Sequence, residues 1–182
     1  DHPQSLGLFG QATYQAFNSL KLVAGLRLHR TLAYQAKLTN HTKTPAEVTL
    51  QAEYADDQIR LIPRLAAIWQ PTAQRVFKLL YGESIIDAPL DLNVPGLFNG
   101  NPLKSEQIKT SELVYTENFN WVGLTASLFH NELENLIVRD ISLDPVTHTD
   151  VSVIRNTGRE STTGLEFTLQ LPVTDKWQVE VS

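Results

Sequence analysis

Cysteine and methionine are both absent from this chain of 182 residues. With no thiol, disulfides, thiolate metal sites and cysteine nucleophiles are excluded. No run of about 18 apolar residues exists, so no transmembrane helix can form. Charge is sparse, at 19% of residues with a formal net charge of −5. That balance gives no electrostatic footprint for nucleic acid. The first residues, Asp1-His2-Pro3-Gln4-Ser5, carry neither the basic region nor the apolar run of a signal peptide. Without any Met, the chain reads as a piece of a longer one. His29, His41, His130 and His148 are scattered without ligand spacing, so no metal site is expected. Glu132, Glu134 and Asp140 lack a facing carboxylate for glycosidase chemistry. The pair Asp56-Asp57 is too common a dipeptide to mark a Ca²⁺ site. The expectation is a protein that is not an enzyme and holds no cofactor.

What is present is alternation. From residue 6 to 17, Leu8, Gly10, Ala12, Tyr14 and Ala16 share one face, and Gln11, Thr13 and Gln15 the other. Asn18-Ser19 follows as a tight-turn signal. Then Leu20, Leu22, Ala24, Leu26 and Leu28 point one way, and Lys21, Gly25, Arg27 and His29 the other. Period two over nine or more residues marks a strand. Its length suits a barrel-spanning strand of about 9–11 residues better than the roughly five or six usual in soluble sheets. The same reading places strands at 59–70, 75–82, 106–116 and 121–131, the last continuing through 133–139. A further strand-like stretch covers 151–171, and a final one opens at Trp177. Pro63 removes one ladder hydrogen bond, which puts it near a strand start or rim.

Short connections at 18–19, 71–74, 117–120 and 172–176 alternate with long ones at 31–58, 83–105 and 140–150. The first long connection contains room for its own hairpin, 33–38 against 48–54. Loops that are long on one side only are the pattern of an outer-membrane up-and-down barrel. The faces opposite the leucines carry Lys, Arg, Gln, Glu and Thr in rows, which suits a wet lumen. Trp69, Tyr81, Trp121 and Trp177 read as strand-end aromatics of an interfacial girdle. Face polarity is not written in the sequence, so three alternatives stay open: a soluble sheet with one solvated face, a lipocalin-like carrier and a passive porin. The fold expected is all-β: an antiparallel up-and-down transmembrane β-barrel segment of about eight strands, one partial domain over 1–182.

These residues also carry a family resemblance. Gly7-Leu8-Phe9-Gly10-Gln11 precedes Leu20-Lys21-Leu22-Val23-Ala24-Gly25-Leu26-Arg27. Pro63-Arg64-Leu65-Ala66 follows, then Lys78-Leu79-Leu80-Tyr81-Gly82, then Ala88-Pro89. Asn101-Pro102-Leu103-Lys104-Ser105-Glu106 comes next, with Ser105 in place of a proline and one residue fewer. Ser111-Glu112-Leu113, Leu128-Phe129, Leu136-Ile137, Asn156-Thr157-Gly158 and Gly164-Leu165-Glu166 complete the series. In this order and spacing the chain resembles the C-terminal part of the barrel of a TonB-dependent outer-membrane receptor. The 31–58 connection lies outside the match.

The resemblance implies active uptake across the outer membrane of a Gram-negative bacterium. Such receptors have about 22 strands closed around a plug. The ligand is a scarce small molecule, such as a ferric siderophore. The implied partners are the lipid bilayer and the TonB complex, reached through a plug absent from this stretch. Ligand contacts are expected in the long loops around Asp57, Asp87, Asn101 and Asp144. Gly25, Arg27, Pro63, Arg64, Lys78, Tyr81, Gly82, Asn101, Pro102, Leu103, Lys104, Glu106, Glu112, Asn156, Gly158, Gly164 and Glu166 are expected to be structural positions of the family pattern. Tyr81-Gly82 and Asn101-Pro102 read as the start and end of one long loop. Lys21, Arg27, Arg64 and Lys78 read as lumen charges paired with Glu112 and Glu166 or with a plug.

Overall fold

The computed structural model describes residues 4–32, 34–40, 47–54, 59–88, 103–119, 121–143, 148–174 and 176–182. Seven long strands and one short one form a single antiparallel sheet: β1 (Ser5–Phe17), β2 (Leu20–Thr31), β5 (Arg60–Thr72), β6 (Arg75–Ile86), β7 (Glu106–Phe119), β8 (Val122–Glu134), β11 (Arg159–Thr174) and the short β12 (Trp177–Val181). Two hairpins stand outside it, β3 (Tyr34–Asn40) with β4 (Glu47–Tyr54), and β9 (Ile137–Leu143) with β10 (Asp150–Asn156). With the hairpins set aside, each strand pairs with the next along the chain, which is up-and-down topology. β1 and β12 are the two ends of the sheet order and do not pair with each other, so the sheet is not closed. A lipocalin-like carrier would instead close eight strands on themselves.

Because side chains alternate, partners across an antiparallel ladder share a face. One row therefore runs Tyr14, Leu22, Ala67, Leu79, Leu113, Leu128, Leu165 across seven strands. The row next to it on the same face, toward the short turns, runs Leu20, Trp69, Phe77, Tyr115, Ala126, Phe167. Its rings meet: Trp69 and Phe77 lie 5.3 Å apart, and Phe77 and Tyr115 4.9 Å. Nothing packs over these rows among the described residues. Leu79 and Leu165 are each 59% exposed, and among the described residues the buried hydrophobic side chains are four: Ile62, Leu103, Val122 and Ile154. The opposite face is mixed: one row runs Lys21, Ile68, Lys78, Val114, Ser127, Glu166, and the row beside it Val23, Ala66, Leu80, Glu112, Phe129, Gly164.

The apolar rows do not stop at one register. On β2 they reach Leu28 before Arg30, whereas on β11 they reach Leu165 before Thr163. Leu165 shares its row with Leu22, six residues short of Leu28 and five strand steps away. The band edge thus slips about 1.2 residues per strand. At a rise of ~3.3 Å and a spacing of ~4.8 Å, that slip corresponds to strands tilted by about 40° to the band, within the barrel range.

The structure corrects the sequence reading in several places. β6 runs on to Ile86, so residues 83–86 belong to a strand and Tyr81 sits inside it rather than at its end. The cause is pairing with β7, from Glu83↔Lys109 to Ile86↔Glu106. Trp69, Trp121 and Trp177 do sit by the short turns. β7 extends to Phe119, which shortens the following turn. Residues 133–139 are not one continuation: β8 stops at Glu134, and Asn135 turns the chain with φ 57°. Residues 140–150 are not a plain loop, because β9 and β10 pair from Ile137↔Asn156 to Leu143↔Asp150. The stretch 151–171 is two strands broken at Gly158, whose φ of 78° favours glycine. The expected hairpin in 31–58 is present as β3 and β4. Pro63 is the fourth residue of β5, and the ladder to β6 begins just after it at Arg64↔Gly82, so its missing N–H costs little.

Gly164 has a packing reason. Phe129 is its cross-strand partner, and a Cβ on Gly164 would lie 2.2 Å from the Phe129 ring. The ring covers the glycine backbone, a known way to stabilise glycine in a sheet. Gly164→Ala should cost about 1–3 kcal/mol of folding stability through overpacking. Measured in denaturant unfolding of the intact parent protein, most of that loss should vanish when Phe129 is also changed to Leu.

Candidate functional site

Two regions gather polar side chains: the rim carrying the long connections, and the polar face below it.

The rim is knitted by residues far apart in sequence. Asp87, just past β6, accepts hydrogen bonds on Oδ2 from Thr31 Oγ1 at 2.9 Å and on Oδ1 from Ser105 Oγ at 2.7 Å. His29 Nε2 lies 3.1 Å from Oδ2. His29 and Ser105 are buried. Burial pushes the Asp87 carboxyl up, but the bonds from Ser105, His29 and Thr31 outweigh it and hold it below the usual carboxylate value. One residue further, Lys104 N donates to Asn156 Oδ1 at 2.7 Å, and Asn156 Nδ2 donates to Lys104 O at 2.9 Å. Asn156 Nδ2 also donates to Asn135 O at 2.6 Å. Thr157 N closes the same turn onto Leu136 O, and Glu106 accepts from Ile137 N at 2.8 Å. Leu103 is buried beside them. The four residues from Leu103 to Glu106 thus tie the end of the long connection to β2, to the chain after β6, and to the base of the β9–β10 hairpin.

Several sequence candidates meet here: Asp87, Leu103, Lys104, Glu106, Asn156 and Gly158. Asp57, Asn101, Pro102 and Asp144 lie outside the described residues. The partnership of His29, Thr31 and Ser105 with Asp87 was not foreseen. His29 and Asp87 are 58 positions apart, so no local spacing announces it. Ser105 was noted as a departure from a proline, and its hydroxyl is what reaches Asp87.

On the polar face, Arg64 stands in a row between Gly25 and Gly82. Arg27 pairs with Phe9 and Ile62, and its guanidinium lies over Gly7. Lys21 and Lys78 both pair with Ile68. The expected pairing of these four cations with Glu112 and Glu166 is not found: none of them forms an ion pair among the described residues. Glu112 instead accepts from Ser127 Oγ at 2.5 Å. The ion pairs present lie elsewhere. On the apolar face, Arg75 binds Glu117 through two nitrogens, at 2.7 and 3.2 Å, and Tyr115 also donates to Glu117. Nearer the rim on that face, Tyr81 donates to Glu83, Gln107 to Glu83, Lys109 to Glu134, and Arg159 to Glu132 and Glu134. No cluster of metal-ligating side chains occurs among the described residues.

The arrangement can anchor loops and present fixed charges. Asn156→Ala should remove three hydrogen bonds worth about 1 kcal/mol each. Amide exchange at Lys104 should accelerate at least tenfold, with exchange in the middle of β7 unchanged. For Asp87 the sign follows from its lowered carboxyl. Its stabilisation is complete above the unfolded value of about 3.9 and fades as pH falls through the lower folded value. The thermal midpoint of the parent protein should fall in acid below about pH 4, and Asp87→Asn should flatten that limb while lowering the plateau at neutral pH.

The sequence matches the family model described as TonB dependent receptor-like, beta-barrel, over residues 2–182. No curated protein of similar sequence was found. Among solved structures, the chain is similar to the ferric yersiniabactin uptake receptor FyuA from Yersinia pestis, with a TM-score of 0.71 at 13% identity over 98% of this chain and 26% of that one. It is similar to the siderophore receptor PiuA from Acinetobacter baumannii, at 0.66 and 18% over 98% and 24%. It is also similar to the copper transporter OprC, at 0.67 and 18% over 97% and 27%. The chain therefore spans about a quarter of the length of these structures.

Proposed function

The chain belongs to the TonB-dependent receptor family, as part of the barrel domain, and on that premise we propose that it is a wall segment of an outer-membrane active transporter. The family consists of transporters rather than enzymes, and membership removes the passive porin as an alternative. The proposed cargo is a scarce small molecule, with a ferric siderophore as the leading class. PiuA, named a siderophore receptor, and FyuA, named for uptake of ferric yersiniabactin, support that class, and OprC, named a copper transporter, widens it toward other metals. The proposed partners are the lipid bilayer of a Gram-negative outer membrane and the TonB complex, which supplies the energy. The connections that follow β2, β6 and β8 are proposed to face outward, with ligand contact near Asp57, Asn101 and Asp144. Asp87 fits an anchoring role better, since its carboxylate already has three partners.

The observation that carries the reading is the apolar face. Its rows are uncovered among the described residues, and on β6 and β7 they are bounded by two charged rows, Arg75–Glu117 and Glu83–Lys109. Eight residues separate Arg75 from Glu83. At ~3.4 Å each and a tilt of about 40°, the apolar band is roughly 20 Å tall. An outer-membrane barrel shows about 25 Å, and long charged side chains reaching outward make up the difference. Trp69, Phe77 and Tyr115 stack at the short-turn edge, where an aromatic girdle belongs. The ~40° slip of the band edge is what a tilted barrel wall requires.

Ala126→Arg, inside the apolar run of β8 from Val122 to Leu128 in the parent receptor, should cost about 2–4 kcal/mol of barrel stability. Thr125→Arg, on the polar face of the same strand, should cost much less. Unfolding in lipid vesicles measures both, and equal costs would sink the membrane-wall reading. The transport reading is checked by uptake of a labelled ferric siderophore into cells carrying the parent receptor. Uptake should cease when TonB is removed, and uptake that persists without TonB would overturn it.

A further inference from the structure

We infer that the wall carries a side opening at the rim between β5 and β6, held shut by a clasp of side chains centred on Asp87. Neither the opening nor the clasp depends on which cargo the wall serves.

The opening is a break in one ladder. Between β5 and β6, pairing ends at Arg64↔Gly82. The ladders on either side run further: β2 pairs with β5 as far as His29↔Arg60, and β6 with β7 as far as Ile86↔Glu106. Continued register would set 61–63 against 83–85, and those rows are missing. At ~3.3 Å per residue the break is about 10 Å deep. Both strands are interior to the sheet, so no strand added beyond β1 or β12 could complete the pairing. The sequence accounts for the break on both sides. Pro63 has no N–H to give a partner. Glu83 is engaged toward β7 instead, accepting from Gln107 Nε2 at 2.6 Å.

The clasp crosses that break. Asp87 lies just past β6, yet two of its partners, His29 and Thr31, stand on β2, on the far side of β5. Its Oδ2 accepts from Thr31 Oγ1 at 2.9 Å and lies 3.1 Å from His29 Nε2. Its Oδ1 accepts from Ser105 Oγ at 2.7 Å, which draws the start of β7 into the same knot. His29 and Ser105 are buried, and so is Ile62, at the level of the break. A gaping split would leave Ile62 in solvent, so the wall is shut here without ladder bonds. On its other side β6 is firmly held. Ile86 pairs with Glu106, whose carboxylate accepts from Ile137 N at 2.8 Å. The weak join is therefore between β5 and β6, and the Asp87 bonds to β2 span it.

A ladder opens only by local unfolding, whereas a few side-chain bonds can part and re-form with both strands intact. Opened, the break would join the polar face to the outer surface beside Glu83. That point is level with the charged row, Glu83–Lys109, that bounds the apolar band.

The test uses the full parent receptor, purified in detergent micelles and freed of native cysteine, of which this stretch has none. Ile62→Cys places a thiol in the break. Val114→Cys places one on the same face within the intact β6–β7 ladder, as the control. Maleimide labelling of Ile62→Cys should be slow with Asp87 present and roughly tenfold or more faster in Asp87→Ala, because three side-chain bonds are lost. Thr31→Ala and Ser105→Ala, which remove one bond each, should fall between. Val114→Cys should label at one rate throughout. Labelling of Ile62→Cys that Asp87→Ala leaves unchanged would overturn the proposal, as would fast labelling with the clasp intact. Equal acceleration at Val114→Cys would also overturn it, since the wall would then have loosened as a whole. Hydrogen exchange without any introduced thiol decides the matter if Ile62→Cys does not fold. Asp87→Ala should speed exchange at 61–62 and 83–85 by roughly tenfold and leave 110–114 unchanged. Exchange altered at neither segment, or equally at both, would sink the clasp.

Discussion

Everything in this chain depends on strand register. In an antiparallel ladder with period two, slipping one strand by a single residue would carry its leucines to the polar face and its lysines and arginines to the apolar one. The rows from Tyr14 to Leu165 stay in step across seven strands. No covering layer fixes them, because among the described residues no second layer exists. What fixes them is the mismatch a slip would create on both faces at once, helped by close fits such as Phe129 over Gly164. The ends of the ladders are pinned by Arg75 on Glu117 at the short-turn side and by Asp87 and Asn156 at the other.

The wall and the rim obey different physics. In the wall, backbone pairing satisfies the polar groups, and side chains sort by face. At the rim the chain leaves the ladder, and orphaned backbone groups need other partners. Asn156 supplies them for Lys104 and Asn135, and Glu106 for Ile137. The polar residues of the family pattern therefore gather where strands end. Those inside the wall are mostly glycines and cations of the polar face.

The wall was legible in the sequence and the rim was not. Alternation at 20–28 and 165–171 announces long two-faced strands, and the spacing of turn residues announces the one-sided loops. Strand ends were misjudged where pairing overrides local composition. Glu83 and Ser84 look like loop residues, yet they extend β6 because β7 has Lys109 and Ile108 ready opposite them. The 133–156 region misled for another reason. Asn135 and Gly158 are single left-handed residues that turn an apparently continuous strand into a separate hairpin. The contacts of Asp87 with His29 and Thr31 join positions more than fifty residues apart, and nothing in a local window encodes that.

The pair Arg75–Glu117 has a consequence for how the wall sits in a bilayer. It projects from the apolar face at the short-turn side, doubly bonded and one row below Tyr115 and Phe77. Raising the wall would drag two charges into hydrocarbon, and lowering it would push Phe77 and Tyr115 into water and bring Glu83 and Lys109 down into hydrocarbon. The pair behaves like a waterline painted on a hull. It holds the vertical position of this side of the barrel, so a thinner or thicker membrane is met by the lipid deforming rather than by the wall riding up or down.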